Sequence, residues 1–176
     1  MSRTLIVYYS RTGTARLVAE LMAAQSGWQL TEVTDARPRA GFLGDVRCVI
    51  ETVFGKRAPY RYEGPDLGSF EQIVVLAPIW MGHLAAPMRD FLKDQTPLPG
   101  HLSVVCVMAA RGAFRAVEEI AQITSMIPSP VLALCQRDVL TGLSHEEVAG
   151  FVEQVRVAGQ WGQVRRRPAW LSPSEA

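Results

Sequence analysis

The chain has 176 residues, enough for one domain with one hydrophobic core. Hydrophobic residues make up 48% and charged residues 20% of it, and the formal net charge is +1. This charge argues against a nucleic-acid-binding protein that depends on a strong basic field. The longest apolar runs have five to seven residues, too short for a membrane span or for a signal peptide at the N-terminus. We therefore expect a cytoplasmic protein.

Three cysteines, Cys48, Cys106 and Cys135, are widely spaced, without a Cys-x-x-Cys pair or a Cys/His cluster. Neither a zinc site nor a disulfide framework is indicated. Cys106 and Cys135 lie in apolar runs, which is typical of buried cysteines that behave as small hydrophobic residues. The basic triplet Arg165–Arg167 is interpreted as part of a solvated C-terminal tail.

Strand-like and helix-like segments alternate along the chain, which predicts an α/β fold with a parallel sheet covered on both faces. Leu5–Tyr9, Ile73–Ala77 and Leu102–Met108 are apolar runs rich in Val, typical of central strands. Gln29–Val33 alternates polar and apolar residues, so we predict a half-exposed edge strand there. Val131–Leu134 is a short fifth candidate.

Segments with apolar residues at helical spacing separate and follow these strands. The last of them has the clearest start, because Ser144 and Glu147 form a capping box in front of an amphipathic run. The pattern gives five βα units, and no structure is assigned to Lys56–Ser69. The other four apolar stripes are Leu17, Val18, Leu21 and Met22; Phe42, Val46, Val49, Ile50 and Val53; Met88, Phe91 and Leu92; and Val117, Ile120, Ala121 and Thr124.

The segment Ser10–Ala15 connects the first predicted strand to the first predicted helix. A helix start presents unpaired N–H groups and the positive end of the helix dipole, so it attracts phosphate. Hydroxyl groups in the segment add donors, and Gly13 would let the backbone approach an anion. A plain helix cap is the alternative, since Ser and Thr are the usual capping residues. The Walker A and dinucleotide fingerprints are absent.

This segment resembles the phosphate loop of flavodoxins, which follows the first strand and reads Ser/Thr-x-Thr-Gly-x-Thr. Tyr8–Thr14 is similar to that pattern, including the aromatic residues before the serine. Ala15 departs from it, because the family usually has a hydroxyl residue there, and Thr14 or Arg11 would have to compensate. The resemblance implies that the phosphate of FMN is bound by Ser10, Arg11, Thr12, Gly13, Thr14 and Ala15.

A second loop is expected after the third strand, and it resembles the Pro-x-Trp/Tyr-x-Gly loop of the same family. Its residues are Pro78, Ile79, Trp80, Met81 and Gly82. Trp80 would supply the aromatic wall that an isoalloxazine ring needs. The alternative is a tryptophan packed into the core.

The third loop is expected after the fourth strand, where flavodoxins hold their other flavin-binding loop. Its implied cofactor-binding residues are Ala109, Ala110, Arg111, Gly112 and Phe114. Arg111 would lie near the ring edge where negative charge develops on reduction. Phe114 would be a second aromatic wall or the first core residue of its helix.

The resemblance extends to about Gly159 and implies a flavodoxin-like three-layer sandwich. Its five-stranded parallel sheet would have the order 2-1-3-4-5, with helices on both faces. Residues 1–160 would form the domain and residues 161–176 a tail. Ligands of such sheets bind outside the carboxyl ends of the strands where the order reverses, so the first two loops should converge there.

The resemblance implies an FMN-binding redox protein. It would carry electrons for a partner protein, or act as an oxidoreductase with NAD(P)H or a quinone. Dedicated carriers of the family tend to be strongly acidic, so the near-neutral charge favours a reductase or a carrier with one particular partner. The alternative is a flavodoxin-fold module that binds no flavin and serves as a protein-binding or assembly domain. A tyrosine-phosphatase loop is not indicated, because Cys106 and Arg111 are one residue too close for Cys-x5-Arg.

Overall fold

A computed structural model of the chain describes residues 3–36, 57–109 and 112–164. Several predictions fall outside these residues, namely those for the helix with Phe42, Val46, Val49, Ile50 and Val53, and those for Cys48, Ala110, Arg111 and Arg165–Arg167.

Seven strands and five α-helices are formed by the described residues. The strands are β1 Thr4–Tyr8, β2 Gln29–Asp35, β3 Tyr60–Tyr62, β4 Gln72–Trp80, β5 His83–Leu84, β6 His101–Met108 and β7 Val131–Cys135. The helices are α1 Thr14–Ser26, α2 Ala86–Gln95, α3 Ala113–Thr124, α4 Gln136–Leu140 and α5 His145–Val164, and Leu67–Ser69 forms a 3₁₀ turn. All five predicted strands are present, and so are the four predicted helices that fall on described residues. The two-residue strand β5, the three-residue strand β3 and the short helix α4 are too brief to leave a periodic pattern in the sequence.

Five of the strands are parallel and lie side by side in the order β2-β1-β4-β6-β7. Numbered along the chain without the two short antiparallel strands, this is the predicted order 2-1-3-4-5, and the flavodoxin-like three-layer fold is confirmed. The order reverses between β1 and β4. The carboxyl ends of these two central strands therefore meet at one edge of the sheet.

Gln29–Val33 is predicted to be an edge strand, and this prediction is wrong for the carboxyl end of β2. There β3 pairs antiparallel with β2, joining Val33 to Tyr62, and Val33 is fully buried. Tyr60 and Tyr62 pack against Phe91 of α2. Their ring centroids lie 5.7 and 4.9 Å, respectively, from the ring centroid of Phe91. These aromatic contacts join segments that are distant in sequence, so the periodicity of β2 alone could not reveal them.

Both faces of the sheet are covered because successive side chains of a strand point to opposite faces. In β1, Ile6 packs on one face while Leu5 and Val7 pack on the other. On the first face, α1 and α5 pack against Ile6, Val74, Val105 and Val107. On the second face, α2 and α3 pack against Leu5, Val7, Ile73 and Val75. This double burial explains the continuous apolar runs of the central strands.

A buried polar contact marks the start of the two central strands. The Thr4 hydroxyl donates to Gln72 Oε1 at 2.8 Å, and Gln72 Nε2 donates to the carbonyl of Val155 in α5 at 2.9 Å. Gln72 is 1% exposed, so its amide group would be costly to bury without these partners. The contact therefore ties the register of β1 and β4 to the position of α5.

The predicted loop beginning at Pro78 is instead a continuation of β4. The strand runs on to Trp80, turns at Met81 and Gly82 with φ values of 51° and 82°, and returns as β5. Two positive φ values in a two-residue turn are typical of the type I′ hairpin. The expectation of a loop was wrong because Ile79 and Leu84 pair across the hairpin and are both buried.

The hairpin turn packs directly on the start of α3. Gly112 precedes α3 with φ 117°, and a Cβ built on it would lie 2.5 Å from the Cα of Gly82. Only a residue without a side chain therefore permits the approach of Gly112 to Gly82. Glu119 of α3 also supports the hairpin, because its carboxylate accepts the N–H of Leu84 at 3.1 Å.

The last helix continues to Val164, so the predicted domain end at residue 160 falls within it. None of the helices in the described ranges is both long and apolar enough to cross a membrane.

We expect Gly112→Ala to lower the free energy of unfolding by about 2 kcal/mol or more, because it adds backbone strain and a clash with Gly82. Gly150→Ala is the matched control, since it lies within α5 and a Cβ there would meet no atom within 4 Å. The control should raise the free energy of unfolding by about 0.5–1 kcal/mol. Urea denaturation measures both, and equal effects would contradict the close packing of hairpin and helix.

Candidate functional site

A cleft lies at the carboxyl ends of β1, β4 and β6, at the edge where the strand order reverses. The cavity volume of the cleft is about 70 Å³, and the empty space around it, which includes the mouth open to solvent, is about 420 Å³. Its lining residues are Ser10, Arg11, Thr12, Thr14, Ala15, Pro78, Ile79, Trp80, Val107, Ala109 and Gln136. Residues from all three predicted loops thus meet in one place. Ala110 and Arg111 of the third loop lie outside the described residues.

The first wall of the cleft is the start of α1. Gly13 precedes the helix with φ 90°, and the hydroxyl oxygens of Thr12 and Thr14 are 3.5 Å apart. The N–H groups of a first helical turn have no intrahelical partner, which makes this end suited to an anion. A Cβ at Gly13 would meet nothing within 4 Å. The glycine is therefore required by its left-handed conformation rather than by crowding.

Ser10 supplies a hydrogen-bond acceptor to the first turn of α1, although the N-cap residue itself is Gly13. The Oγ of Ser10 accepts the N–H of Arg16 in the first turn of α1 at 3.1 Å. A hydroxyl that accepts one hydrogen bond still carries a proton that it can donate. Capping and anion binding are therefore compatible at this residue.

Ala15 replaces the expected hydroxyl with a buried methyl group. It is 3% exposed and packs in the core cluster that contains Val18 and Leu76, while also lining the cleft.

Behind the first wall lies a charged residue that the sequence analysis missed. Asp35, at the end of β2, places Oδ2 3.6 Å from Nη1 of Arg11 and accepts the Tyr9 hydroxyl at 3.0 Å. The Arg11 and Asp35 side chains are 13% and 16% exposed. β1 pairs with β2, so the residues that follow β1 lie beside the end of β2. The signal available in the sequence was an acidic residue at the end of the strand that follows α1.

Trp80 forms the aromatic part of the second wall. Its ring meets Tyr9 edge-on, with centroids 6.3 Å apart and planes at 78°. It also packs partly against the core. Both earlier interpretations, cleft wall and core residue, therefore describe part of its surface. Met81 is 75% exposed and does not line the cleft, and Gly82 packs on Gly112.

The prediction that Phe114 is the first core residue of its helix is wrong. The side chain is 93% exposed, does not line the cleft and is not part of the core. The buried face of α3 is formed by Ala116, Ile120 and Thr124. Two residues before Ala116, Phe114 lies about 200° around the helix and so faces away from the sheet. Gln136, at the start of α4, is a lining residue that the sequence analysis missed.

Comparison with solved structures finds this architecture in proteins described as flavoproteins. The flavoprotein of Lactobacillus acidophilus NCFM in complex with FMN has a TM-score of 0.66 and 18% identity, covering 80% of this chain and 98% of its own. A protein of Bacteroides uniformis ATCC 8492 classed as a flavoprotein has a TM-score of 0.73 and 19% identity, covering 86% and 98%. The flavodoxin of Fusobacterium nucleatum bound to FMN has a TM-score of 0.58 and 9% identity, covering 89% and 98%.

The chain has a flavodoxin-like fold. At these identities the likeness is one of architecture. No protein-family model matches the chain, and a sequence comparison with curated proteins gives no match.

Within this flavodoxin-like fold, Cys106 is not a nucleophile. It lies in the middle of β6 and is 1% exposed, and burial raises the pKa of its thiol to about 12. The thiolate, which is the reactive form, is therefore negligible near neutral pH.

Two of the hydroxyl residues of the first wall, Ser10 and Thr12, should differ in their effect on stability. Ser10→Ala should lower the free energy of unfolding by about 1 kcal/mol, because it removes the acceptor of the Arg16 N–H. Thr12→Ala should stay within about 0.5 kcal/mol of the original protein, because Thr12 is exposed and outside the helix. Urea denaturation decides this, and equal losses would contradict a capping role for Ser10.

Proposed function

We propose that this chain binds FMN in the cleft and acts as a flavin-dependent redox protein. The observation that carries the proposal is the meeting, in one cleft, of an anion-binding helix start and an aromatic wall. A flavin mononucleotide has the matching two ends, a phosphate and a flat ring. That the fold is also found in FMN-bound proteins supports the proposal by analogy.

The phosphate end is suited to the start of α1. The open space beside Gly13 would admit an oxygen atom close to the backbone, and the hydroxyls of Ser10, Thr12 and Thr14 are at hand. The methyl group of Ala15 contributes no hydrogen bond. Arg11 is the charged side chain among the described lining residues. Its guanidinium would compensate for the hydroxyl that is missing at Ala15.

The ring end is suited to the second wall and to Ala109, which follows β6. Pro78, Ile79 and Trp80 offer apolar and aromatic surface, and Ala109, at the end of the neighbouring strand β6, is small enough for the ring to approach the backbone. Bound FMN would supply the electron-transfer chemistry, and the side chains would bind it, orient it and exclude water from its ring.

The electron donor and acceptor are proposed to be small molecules, such as NAD(P)H and a quinone. A net charge of +1 provides no strong field for steering a charged protein partner. One observation favours the flavin-free alternative, a protein-binding or assembly module. The cavity volume of the cleft is only about 70 Å³, whereas ligand pockets typically have about 300–1,000 Å³.

Flavin binding is tested with the purified protein and added FMN. We expect a retained visible flavin absorbance after gel filtration, and an affinity for riboflavin at least about tenfold weaker, since riboflavin lacks the phosphate. Equal affinities would contradict phosphate anchoring. A protein that retains neither ligand would support the flavin-free module. Turnover of NADPH, NADH and a quinone by the loaded protein then separates a reductase from a carrier.

Trp80 should report the position of the ring. If the ring lies against it, FMN should quench part of the tryptophan fluorescence, and Trp80→Phe should remove most of that quenching. Trp28→Phe is the matched control, because Trp28 precedes β2 at the opposite end of the sheet. Quenching that persists in Trp80→Phe and disappears in Trp28→Phe would contradict the proposed position.

A further inference from the structure

We propose that Asp35 positions Arg11 for the phosphate of a bound flavin, and so sets the preference of this chain for FMN over riboflavin. The inference rests on the proposed function. It assigns a role to a residue that does not line the cleft and that belongs to none of the three predicted loops.

The geometry of Arg11 carries the first step. Arg11 is one of the residues that line the cleft, and its Nη1 lies 3.6 Å from Oδ2 of Asp35. An arginine has five N–H donors, so an ion pair at one nitrogen leaves others directed elsewhere. A long side chain loses much rotamer freedom when it becomes ordered. The ion pair with Asp35 orders the Arg11 side chain before a ligand binds. An incoming phosphate would therefore not have to pay the entropic cost of ordering it.

The second contact of Asp35 explains why its own position is well defined. Oδ2 accepts the hydroxyl of Tyr9, which is 1% exposed and meets Trp80 edge-on. The carboxylate is therefore anchored to the buried end of β1. Through Tyr9 and Arg11, one carboxylate connects the aromatic wall with the anion-binding loop.

A carboxylate near a phosphate has two opposing effects. Direct repulsion would weaken FMN binding, whereas holding Arg11 in place would strengthen it. Arg11 lines the cleft and Asp35 does not, so the cation is the nearer of the two charges to a bound phosphate. A charge-assisted hydrogen bond between Arg11 and a phosphate would be short and directional, and therefore strong. The repulsion between the phosphate and the more distant Asp35 would be weakened by solvent and salt. We therefore infer that positioning outweighs repulsion.

The test compares dissociation constants for FMN and riboflavin in Asp35→Asn, Arg11→Gln and the double variant. Asn keeps an acceptor for the Tyr9 hydroxyl but removes the ion pair. We expect each single variant to bind FMN about tenfold more weakly and riboflavin within about twofold of the original. The double variant should be no weaker than Arg11→Gln, because the two residues act as one unit.

Glu32→Gln is the matched control. Glu32 lies in the same strand and pairs with Arg16 at 2.8 Å, so the substitution removes the same charge without touching Arg11. The ratio of the two dissociation constants should be unchanged in this variant. An equal shift in Glu32→Gln would attribute the effect to general electrostatics and overturn the inference.

Three further results would also overturn it. Tighter FMN binding by Asp35→Asn would mean that repulsion dominates, equal weakening of both ligands would mean a merely structural role, and additive losses would mean that Asp35 does not act through Arg11. If Asp35→Asn fails to fold, Arg11→Lys tests the same connection between Asp35 and the phosphate. This substitution keeps the positive charge but loses the planar guanidinium, which can contact two anions at once. An unchanged ligand preference in Arg11→Lys would refute the inference. Failure of the original protein to bind either ligand would refute the proposed function itself.

Discussion

The parallel pairing of β1 with β4 is the constraint on which the rest of the structure depends. It joins Thr4 to Gln72 at one end and Tyr8 to Leu76 at the other, and the N–H of Tyr9 extends it by donating to Leu76. A slip by one residue would turn every side chain of the strand to the wrong face. The buried Gln72 amide, which also reaches α5, makes such a slip costly.

The cleft is a consequence of this pairing. Because both strands end at the same edge, the helix start after β1 and the hairpin after β4 have to meet there. Asp35 reaches the same edge because β2 pairs with the other side of β1. The cleft therefore combines the start of α1 and its neighbour Arg11 with two features from distant parts of the chain, the aromatic side chain of Trp80 and the carboxylate that pairs with Arg11.

Much of this arrangement was predictable from the sequence where a local pattern was strong. The buried strands are continuous apolar runs, and α1 begins after a Ser-x-Thr-Gly segment typical of helix starts. Phe114 was mispredicted because a helix start followed by an aromatic residue does not say which face of the helix that residue occupies. The neighbouring buried positions, Ala116 and Ile120, indicate the true face once the helix is docked on the sheet.

The sequence by itself determined the class of fold and the kind of loop that follows β1, because periodicity and turn chemistry are local properties. Only the tertiary structure decided that β3 covers the end of β2, that β4 continues through Trp80 into a hairpin, and that Asp35 lies against Arg11. Each of these depends on contacts between segments far apart in the chain. Such contacts are selected by the packing of the whole sheet, and no local pattern of residues encodes them.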